Sequence, residues 1–195
     1  MAVQTASAVH APRLVDALAD AFYEDPVMAW LLPDSRSRAV RLRRFFAIEL
    51  KAVGLSRGRV WATEDSSGAA IVTPPGEWRL PWSVQLRHAR GFAAAFGARL
   101  PHAAALLSMM ERRHPREPHH YIAYVGVEPS RQGQGLGSAL LEPTLACCDE
   151  AGLPAYLEAT SPRNVTLYER LGFIATGELR LASSPPLVPM RREPR

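Results

Sequence analysis

A turn with three glycines at alternate positions joins a strand-like segment to a helix-like segment in the second half of the chain. The turn reads Arg131-Gln132-Gly133-Gln134-Gly135-Leu136-Gly137. Glycines let the backbone approach a ligand closely, and the free N–H groups and dipole of a helix start attract phosphate. The sequence therefore predicts a phosphate-binding turn, to which the Arg131 guanidinium can add a charge-assisted contact.

The residues that follow the turn exclude a nucleoside-triphosphate loop. Such a loop needs a lysine and then a serine or threonine directly after its glycines, because these side chains reach the phosphates and a magnesium ion. Here Gly137 is followed by Ser138 and Ala139. A nucleotide triphosphatase is therefore excluded.

A dinucleotide-binding oxidoreductase is the nearer alternative. Gly133, Gly135 and Ser138 approximate its fingerprint, and Glu158 follows about 20 residues later, where an acid that binds ribose is expected. The third glycine of that fingerprint is Ser138 here, however, and residues 128–131 separate the strand from the first glycine. Too little chain follows Glu158 for the remaining strands of a doubly wound sheet.

Hydrophobic periodicity and turn residues predict an α+β chain with a strand–helix–strand unit in its second half. Strands are expected near residues 3–6, 59–64, 68–73, 119–127, 155–159, 173–181 and 187–192. Helices are expected near residues 9–23, 35–53, 82–113 with a division at Pro101, 136–151 with a bend at Pro143, and 164–171. In the second helix Val40, Phe45, Ile48 and Val53 are predicted to face the core.

Composition and charge favour a soluble globular protein. The 195 residues are 47% hydrophobic, which is enough to bury a core. The net charge of +4 is mild, and arginines at helical intervals are typical of a solvated helix face. These arginines are Arg36, Arg38, Arg41, Arg43 and Arg44. No groove-reading motif accompanies them, so nucleic-acid binding is not expected.

No membrane span and no signal peptide are recognisable, so we expect a cytoplasmic protein without membrane attachment. Cys147 and Cys148 are adjacent within a predicted helix and suggest neither a disulfide nor a spaced metal site. No metal is therefore expected.

Two segments resemble the motifs of the GNAT superfamily of N-acetyltransferases. Val125-Gly126-Val127-Glu128-Pro129 followed by Gln132-x-x-Gly135-x-Gly137 resembles motif A, and Asn164 with the run Tyr168 to Phe173 resembles motif B. More weakly, most of the chain is similar to the puromycin N-acetyltransferases, through Arg59-Val60-Trp61, Glu117-Pro118, Leu157 to Thr160 and Pro162 to Asn164.

The resemblance implies a GNAT fold. This fold is a mixed, mostly antiparallel sheet of about seven strands, flanked by helices and splayed between strands 4 and 5. We expect one such domain over residues 1–195, with motif A at about 119–151 and motif B at about 155–173.

Acetyl-CoA is the co-substrate that the resemblance implies, with its pantetheine arm in the splay. The backbone of Val125, Gly126 and Val127 would bind the pantetheine and the acetyl group, and an N–H there would stabilise the oxyanion. The pyrophosphate would lie against the turn and helix start. The implied contacts are Arg131, Gln132, Gly133, Gln134, Gly135, Leu136, Gly137 and Ser138, together with Asn164 and Tyr168 from motif B.

The implied reaction is direct transfer of the acetyl group to a primary amine of a small molecule. Tyr168 matches the general acid that protonates the departing thiolate, and Asn164 would share its helix face. A non-catalytic module that binds acyl-CoA is a further alternative, beside the oxidoreductase.

The sequence offers more than one candidate for the base that deprotonates the amine. Superfamily members often use the positions of Tyr121 and Ala123, but neither residue here is an obvious base. Glu158 is the preferred candidate, because burying a carboxylate in an apolar strand at the splay costs free energy and therefore points to a functional role. His119, interpreted as a surface histidine at a strand start, and a water relay remain open.

The acceptor pocket is expected to come from the first half of the chain. Glu24, Asp25, Trp30, Trp78 and Trp82 offer acidic and aromatic walls for a cationic or flat amine. An aminonucleoside, another antibiotic amine, a polyamine and a protein N-terminus all remain open as acceptors, and so do a monomer and a homodimer.

Overall fold

The structure is a computed structural model that describes residues 2–56 and 59–195. Within these residues seven strands form one sheet in the order β1-β2-β3-β4-β5-β7-β6. The strands are β1 Val3–Thr5, β2 Arg59–Thr63, β3 Gly68–Thr73, β4 His120–Val127, β5 Ala155–Ala159, β6 Ile174–Ala175 and β7 Val188–Arg192. The helices are α1 Ala11–Ala21, α2 Pro26–Leu31, α3 Ser35–Glu49, α4 Trp82–Phe96, α5 Leu100–Arg113, α6 Leu136–Ala151 and α7 Pro162–Arg170.

The sheet is antiparallel except between β4 and β5, and this parallel pair opens almost at once. His120 pairs with Ala155 and Tyr121 with Tyr156, and the register records no further pair. β4 continues alongside β3, and β5 continues alongside β7. The facing edges of β4 and β5 therefore diverge toward Val127 and Ala159. The predicted fold, including the splay between strands 4 and 5, is confirmed.

The sheet is covered on both faces, because alternate residues of its central strands point to different cores. Ala69 and Ile71 of β3 pack in a core with α1, α3, α4 and α5. Ala70 and Val72 face the opposite side, which is covered by α6 and α7. The sheet is thus one layer of a three-layer molecule.

Gly126 allows α1 to lie directly on β4. A Cβ at this position would be 2.8 Å from Leu18 Cδ2 and 3.0 Å from Ala21 Cβ. Both distances are shorter than ordinary van der Waals contact, so even alanine would push the helix away. The role that Gly126 shows in the structure is therefore the close approach of a helix to the strand.

Several sequence predictions about local elements were wrong. No element was expected between residues 23 and 35, but this segment contains the short α2, which the Asp25 carboxylate caps by accepting hydrogen bonds from Val27 N and Met28 N, both at 3.0 Å. The strand expected near residues 173–181 is reduced to Ile174–Ala175 and an isolated bridge from Leu179 to Leu187. Motif B begins its helix at Pro162, capped by Ser161, and not at residue 164.

Two side chains of α3 also differ from prediction. Val40 is 50% exposed and not part of the core. Arg38, assigned to a solvated face, is only 9% exposed, and its guanidinium donates to the carbonyl oxygens of Leu32 at 2.8 Å and Tyr23 at 3.2 Å. These bonds tie α3 to the segments before and after α2. They also give the buried guanidinium the acceptors that it needs.

No helix among the described residues combines the length and the apolar character that crossing a bilayer requires. In the same part of the chain, no three His, Cys, Asp or Glu side chains are grouped so that they would hold a metal ion.

Candidate active site

The glycine turn forms the N-terminus of α6. Gly133 has φ of 78° and Gly135, the N-cap, has φ of 80°, a left-handed conformation that glycine adopts without strain. The first intrahelical bond runs from Ala139 N to Gly135 O at 3.1 Å. The preceding N–H groups at the start of α6 therefore lack an intrahelical acceptor and can bind an anion.

Two side chains of the turn bind protein groups in the structure. Gln132 Nε2 donates to the carbonyl oxygen of Val127 at 2.9 Å, which ties the turn to the end of β4. Arg131 lies 3.2 Å from a carboxylate oxygen of Asp65 in the turn between β2 and β3. Hydrogen bonds from Ser67 lower the pKa of Asp65 to about 2, so this partner stays ionised. The Arg131 guanidinium would have to leave Asp65 or share it in order to reach a phosphate.

A cavity of about 730 Å³ opens from the splay into the helical layer. On the sheet side it is lined by Ala123, Tyr124 and Val125 of β4 and by Leu157, Glu158 and Ala159 of β5. On the other side its walls are aromatic and aliphatic residues of α1 to α5. The described lining includes four carboxylates, those of Asp25, Glu49, Glu111 and Glu158, and no lysine or arginine. Such a pocket favours an apolar molecule that carries positive charge.

A β-bulge in β4 places two tyrosines on the cavity side of the sheet. Tyr124 pairs with Ile71 and Ile122 with Val72, so Ala123 is an extra residue without a partner on β3. Because of this extra residue, Tyr121 and Tyr124 point to the same face, although three positions separate them. Burial raises the pKa of both phenols well above the ordinary value, and both hydroxyls therefore stay protonated.

Glu158 lies at the point where β4 and β5 diverge, and its side chain is 2% exposed. The Tyr121 hydroxyl donates to Glu158 Oε2 at 2.9 Å. Glu158 Oε1 has no hydrogen-bond partner among the described residues, and His114 Nδ1 lies 3.8 Å from it. One carboxylate oxygen is therefore fixed in place while the other can still accept a proton.

His114 and His119 continue from Glu158 into the protein. His119 Nδ1 lies 2.7 Å from the Glu117 carbonyl oxygen, which only accepts, so this nitrogen carries the proton. His119 Nε2 must then accept from His114 Nε2–H at 2.9 Å, which leaves His114 Nδ1 directed at Glu158. The expectation of a surface histidine at residue 119 was wrong: its exposure is 3%, because it packs under His114 and Tyr156.

Tyr168 and Asn164 both line the cavity from α7, one helical turn apart. Tyr168 is 7% exposed. Burial, and then the nearby Asp25 charge, raise the pKa of Tyr168 above the ordinary value. Asp25 in turn accepts a hydrogen bond from the Thr160 hydroxyl, and burial raises the pKa of its carboxyl. The Tyr168 hydroxyl is therefore a stable donor at the open end of the splay.

The acceptor walls expected from the first half of the chain are partly found. Asp25, Trp78 and Trp82 line the cavity, and the Trp78 ring stacks on His114 with centroids 3.6 Å apart. Glu24 is exposed and lies outside the lining. Trp30 packs instead against Arg99, whose guanidinium carbon is 4.9 Å from the ring centroid.

Glu49 was missed in the sequence, although it is a carboxylate within the apolar segment from Phe45 to Val53. It ends α3, is 7% exposed and lines the cavity. Burial alone raises the pKa of Glu49 from 4.5 to about 7, and no described residue gives its carboxyl a hydrogen bond. His114, by contrast, lies in a loop and carries no sequence signal that would have found it.

Glu49→Gln is expected to stabilise the ligand-free protein at alkaline pH. A carboxyl whose folded pKa is raised stabilises the fold fully below its unfolded pKa of 4.5, and this contribution is lost as the pH rises through about 7. Glutamine carries no charge and avoids that loss. In urea unfolding, the variant should match the parent near pH 4 and exceed it by up to about 3 kcal/mol near pH 8. A variant that is less stable at both pH values would contradict this account.

The splayed parallel pair, the glycine turn at a helix start and the cavity that enters the splay define an acetyltransferase of the α+β class. The chain belongs to the acetyltransferase (GNAT) family, whose model matches residues 59–173. This match includes both segments that resemble the superfamily motifs.

Full-length relatives agree with this assignment. The chain is 28% identical over 213 aligned residues to an uncharacterized N-acetyltransferase of Schizosaccharomyces pombe, and the alignment covers 100% of this chain and 84% of the relative. A structure solved as histone acetyltransferase HPA2 and related acetyltransferase from Corynebacterium glutamicum is 27% identical, with a TM-score of 0.76 over 99% of this chain and 96% of that one. The Drosophila melanogaster polyamine N-acetyltransferase shares the fold, with a TM-score of 0.59 at 18% identity over 98% of this chain and 99% of that one.

Proposed function

We propose that this protein transfers the acetyl group of acetyl-CoA to a primary amine of an apolar, cationic small molecule. The observation that carries the proposal is the cavity, which joins the open edges of β4 and β5 to a pocket with four carboxylates and no lysine or arginine in its described lining. A donor that enters along the splay and an amine that enters from the helical layer would meet at Glu158. We also propose that residues 1–195 form one domain, because β1 and β7, which lie near opposite ends of the chain, join one sheet.

The donor site is proposed along β4 and the start of α6. The unpaired edge of Val125, Gly126 and Val127 offers backbone groups to the amides of the pantetheine arm. One of these N–H groups would stabilise the tetrahedral oxyanion, a contribution on the order of 3 kcal/mol. The N–H groups of the turn from Gly133 to Ser138 would bind the pyrophosphate, and Arg131 would add its charge.

Glu158 is the proposed general base. Its oxygen without a hydrogen bond takes a proton from the ammonium group of the acceptor, and the neutral amine then attacks the thioester carbonyl. His114 Nδ1 lies close enough to Glu158 to share that proton. The nitrogen of the tetrahedral intermediate loses its second proton to solvent, the bond from carbon to sulfur breaks, an amide forms, and the negative charge moves to the departing thiolate.

Tyr168 is proposed to stabilise the thiolate mainly as a hydrogen-bond donor. A thiolate has an expected pKa of about 8.5, whereas burial and Asp25 raise the pKa of Tyr168 further above that value. Complete proton transfer from the phenol to the sulfur is therefore unfavourable. The general acid implied by the family resemblance thus becomes a donor that lowers the charge on sulfur, and solvent supplies the final proton.

The proposed function is tested by ligand binding and thiol release. Acetyl-CoA should raise the Tm, because a ligand that binds only the folded state stabilises it. The nicotinamide dinucleotides should leave the Tm unchanged, and the reverse pattern would support the oxidoreductase alternative. A panel of amines, with puromycin included, should release free coenzyme A thiol in the presence of the protein. Binding of acetyl-CoA without thiol release from any amine would favour the non-catalytic module.

A further inference from the structure

The far end of the cavity holds a second carboxylate that the proposed transfer does not use. Glu49 is more than nine-tenths buried, lines the cavity and has no hydrogen bond from a described residue. A buried carboxyl in such a place costs folding free energy unless a partner binds it. No described lysine or arginine lines the cavity, and its one histidine, His114, faces Glu158 and gives Glu49 no hydrogen bond. The missing partner therefore has to arrive with a ligand.

Glu49 and Glu158 line the same cavity as Tyr121 and Tyr124. Burial, and then the charges of Glu49 and Glu158, raise the pKa of Tyr124. Glu158 is held by Tyr121, which comes three residues before Tyr124 on the same face of β4. Glu49 reaches the cavity from the end of α3 and Glu158 from β5, so the cavity has two carboxylates on different elements.

Only one of these carboxylates lies at the splay. Glu158 is on β5, where the gap to β4 opens, whereas Glu49 is at the end of α3 and is not part of that gap. An amine bound at Glu49 is therefore not placed beside a thioester in the gap. The surface between the two sites is apolar and aromatic, and the outer wall of the cavity exposes Trp82, Leu86 and Leu107.

We propose that Glu49 binds a second cationic group of the acceptor, so that the preferred substrates are apolar diamines whose other amine is acetylated at Glu158. This inference rests on the proposed transferase function. The length of the apolar body is the specificity element, because it must span the distance between the two carboxylates. Short diamines reach one site at a time and should be acetylated less efficiently than long ones.

The test uses linear α,ω-diamines from diaminobutane to diaminodecane, each compared with the monoamine of the same chain length. Thiol release by the parent protein should show a lower KM for the long diamines than for their monoamines. Glu49→Gln should reduce this diamine preference by about tenfold to a hundredfold, the effect of losing a charged hydrogen-bond partner. Glu111→Gln, which removes a half-buried charge from the same cavity, is the matched control and should keep the preference.

Two outcomes would overturn the inference. One is equal KM values for long diamines and monoamines with the parent protein, and the other is the same loss of preference in Glu49→Gln and Glu111→Gln. The proposed function is judged separately, by binding. Trp78 and Trp82 line the cavity, so quenching of tryptophan fluorescence reports amine binding without turnover. If binding prefers diamines and depends on Glu49 but no amine releases thiol, the result supports the Glu49 site and contradicts the proposed transferase activity.

Discussion

Replacing Glu158 by glutamine is expected to lower kcat by about a hundredfold to ten-thousandfold, the usual contribution of a positioned general base. Glutamine keeps the volume of the side chain and can still accept from the Tyr121 hydroxyl, so the pocket should keep its shape. The oxygen that faces the cavity, however, no longer takes a proton from the ammonium group. The rising limb of the pH–rate profile should disappear, since it reports ionisation of the base.

The decisive measurement is the pH dependence of kcat/KM in the Glu158→Gln variant. The affinity for acetyl-CoA, measured by calorimetry, should be that of the parent protein. Glu169→Gln is the control, because Glu169 is exposed on α7, next to Tyr168 in sequence but outside the cavity lining. A Glu158→Gln variant with an unchanged profile would assign proton removal to the pair of His114 and His119 or to a water relay.

Tyr168→Phe is expected to lower kcat by about tenfold to a hundredfold, with little change in the affinity for acetyl-CoA. This range is the value of one hydrogen bond to a charged group. The loss should be constant from neutral to mildly alkaline pH, because burial and Asp25 raise the pKa of Tyr168 and keep its hydroxyl protonated there.

The size of the Tyr168→Phe effect distinguishes two roles. A loss well above a hundredfold would indicate that the phenol transfers its proton completely, against the raised pKa. Full activity would remove Tyr168 from the mechanism. Tyr23→Phe is the matched control, since the Tyr23 hydroxyl donates to the Ser35 carbonyl oxygen at 3.0 Å and Tyr23 does not line the cavity.

Sequence and structure agree best at the sheet. Six of the seven strands were predicted near their observed positions, because alternation and turn residues are local signals, whereas the strand expected near residues 173–181 is reduced to Ile174–Ala175. The splay followed from the family resemblance. The errors concern residues whose state depends on distant partners. Arg38 was assigned to solvent, yet it is buried because the carbonyl oxygens of Tyr23 and Leu32 accept from it.

In the candidate site too, residues with a local sequence signal were predicted, whereas contacts between distant residues were not. Glu158 and Tyr168 stood out because a carboxylate within an apolar strand and a tyrosine in a family motif are visible in the sequence. Neither the pairing of Tyr121 with Glu158 nor the position of His114 was visible. The first depends on a β-bulge at Ala123 that shifts the register of β4 by one residue. The second depends on a loop that folds His114 over β5 beneath Trp78.

The sequence by itself determined a glycine turn at a helix start, for which phosphate binding stays a prediction. The signal for that turn lies in neighbouring residues: glycines that permit left-handed backbone and free N–H groups that follow them. It also determined the family, through two motifs. Only the tertiary structure decided the shape and charge of the cavity. Glu49, Tyr124 and Glu158 lie far apart in the chain, and they meet because burial of apolar surface packs α3 against the sheet beside the splay.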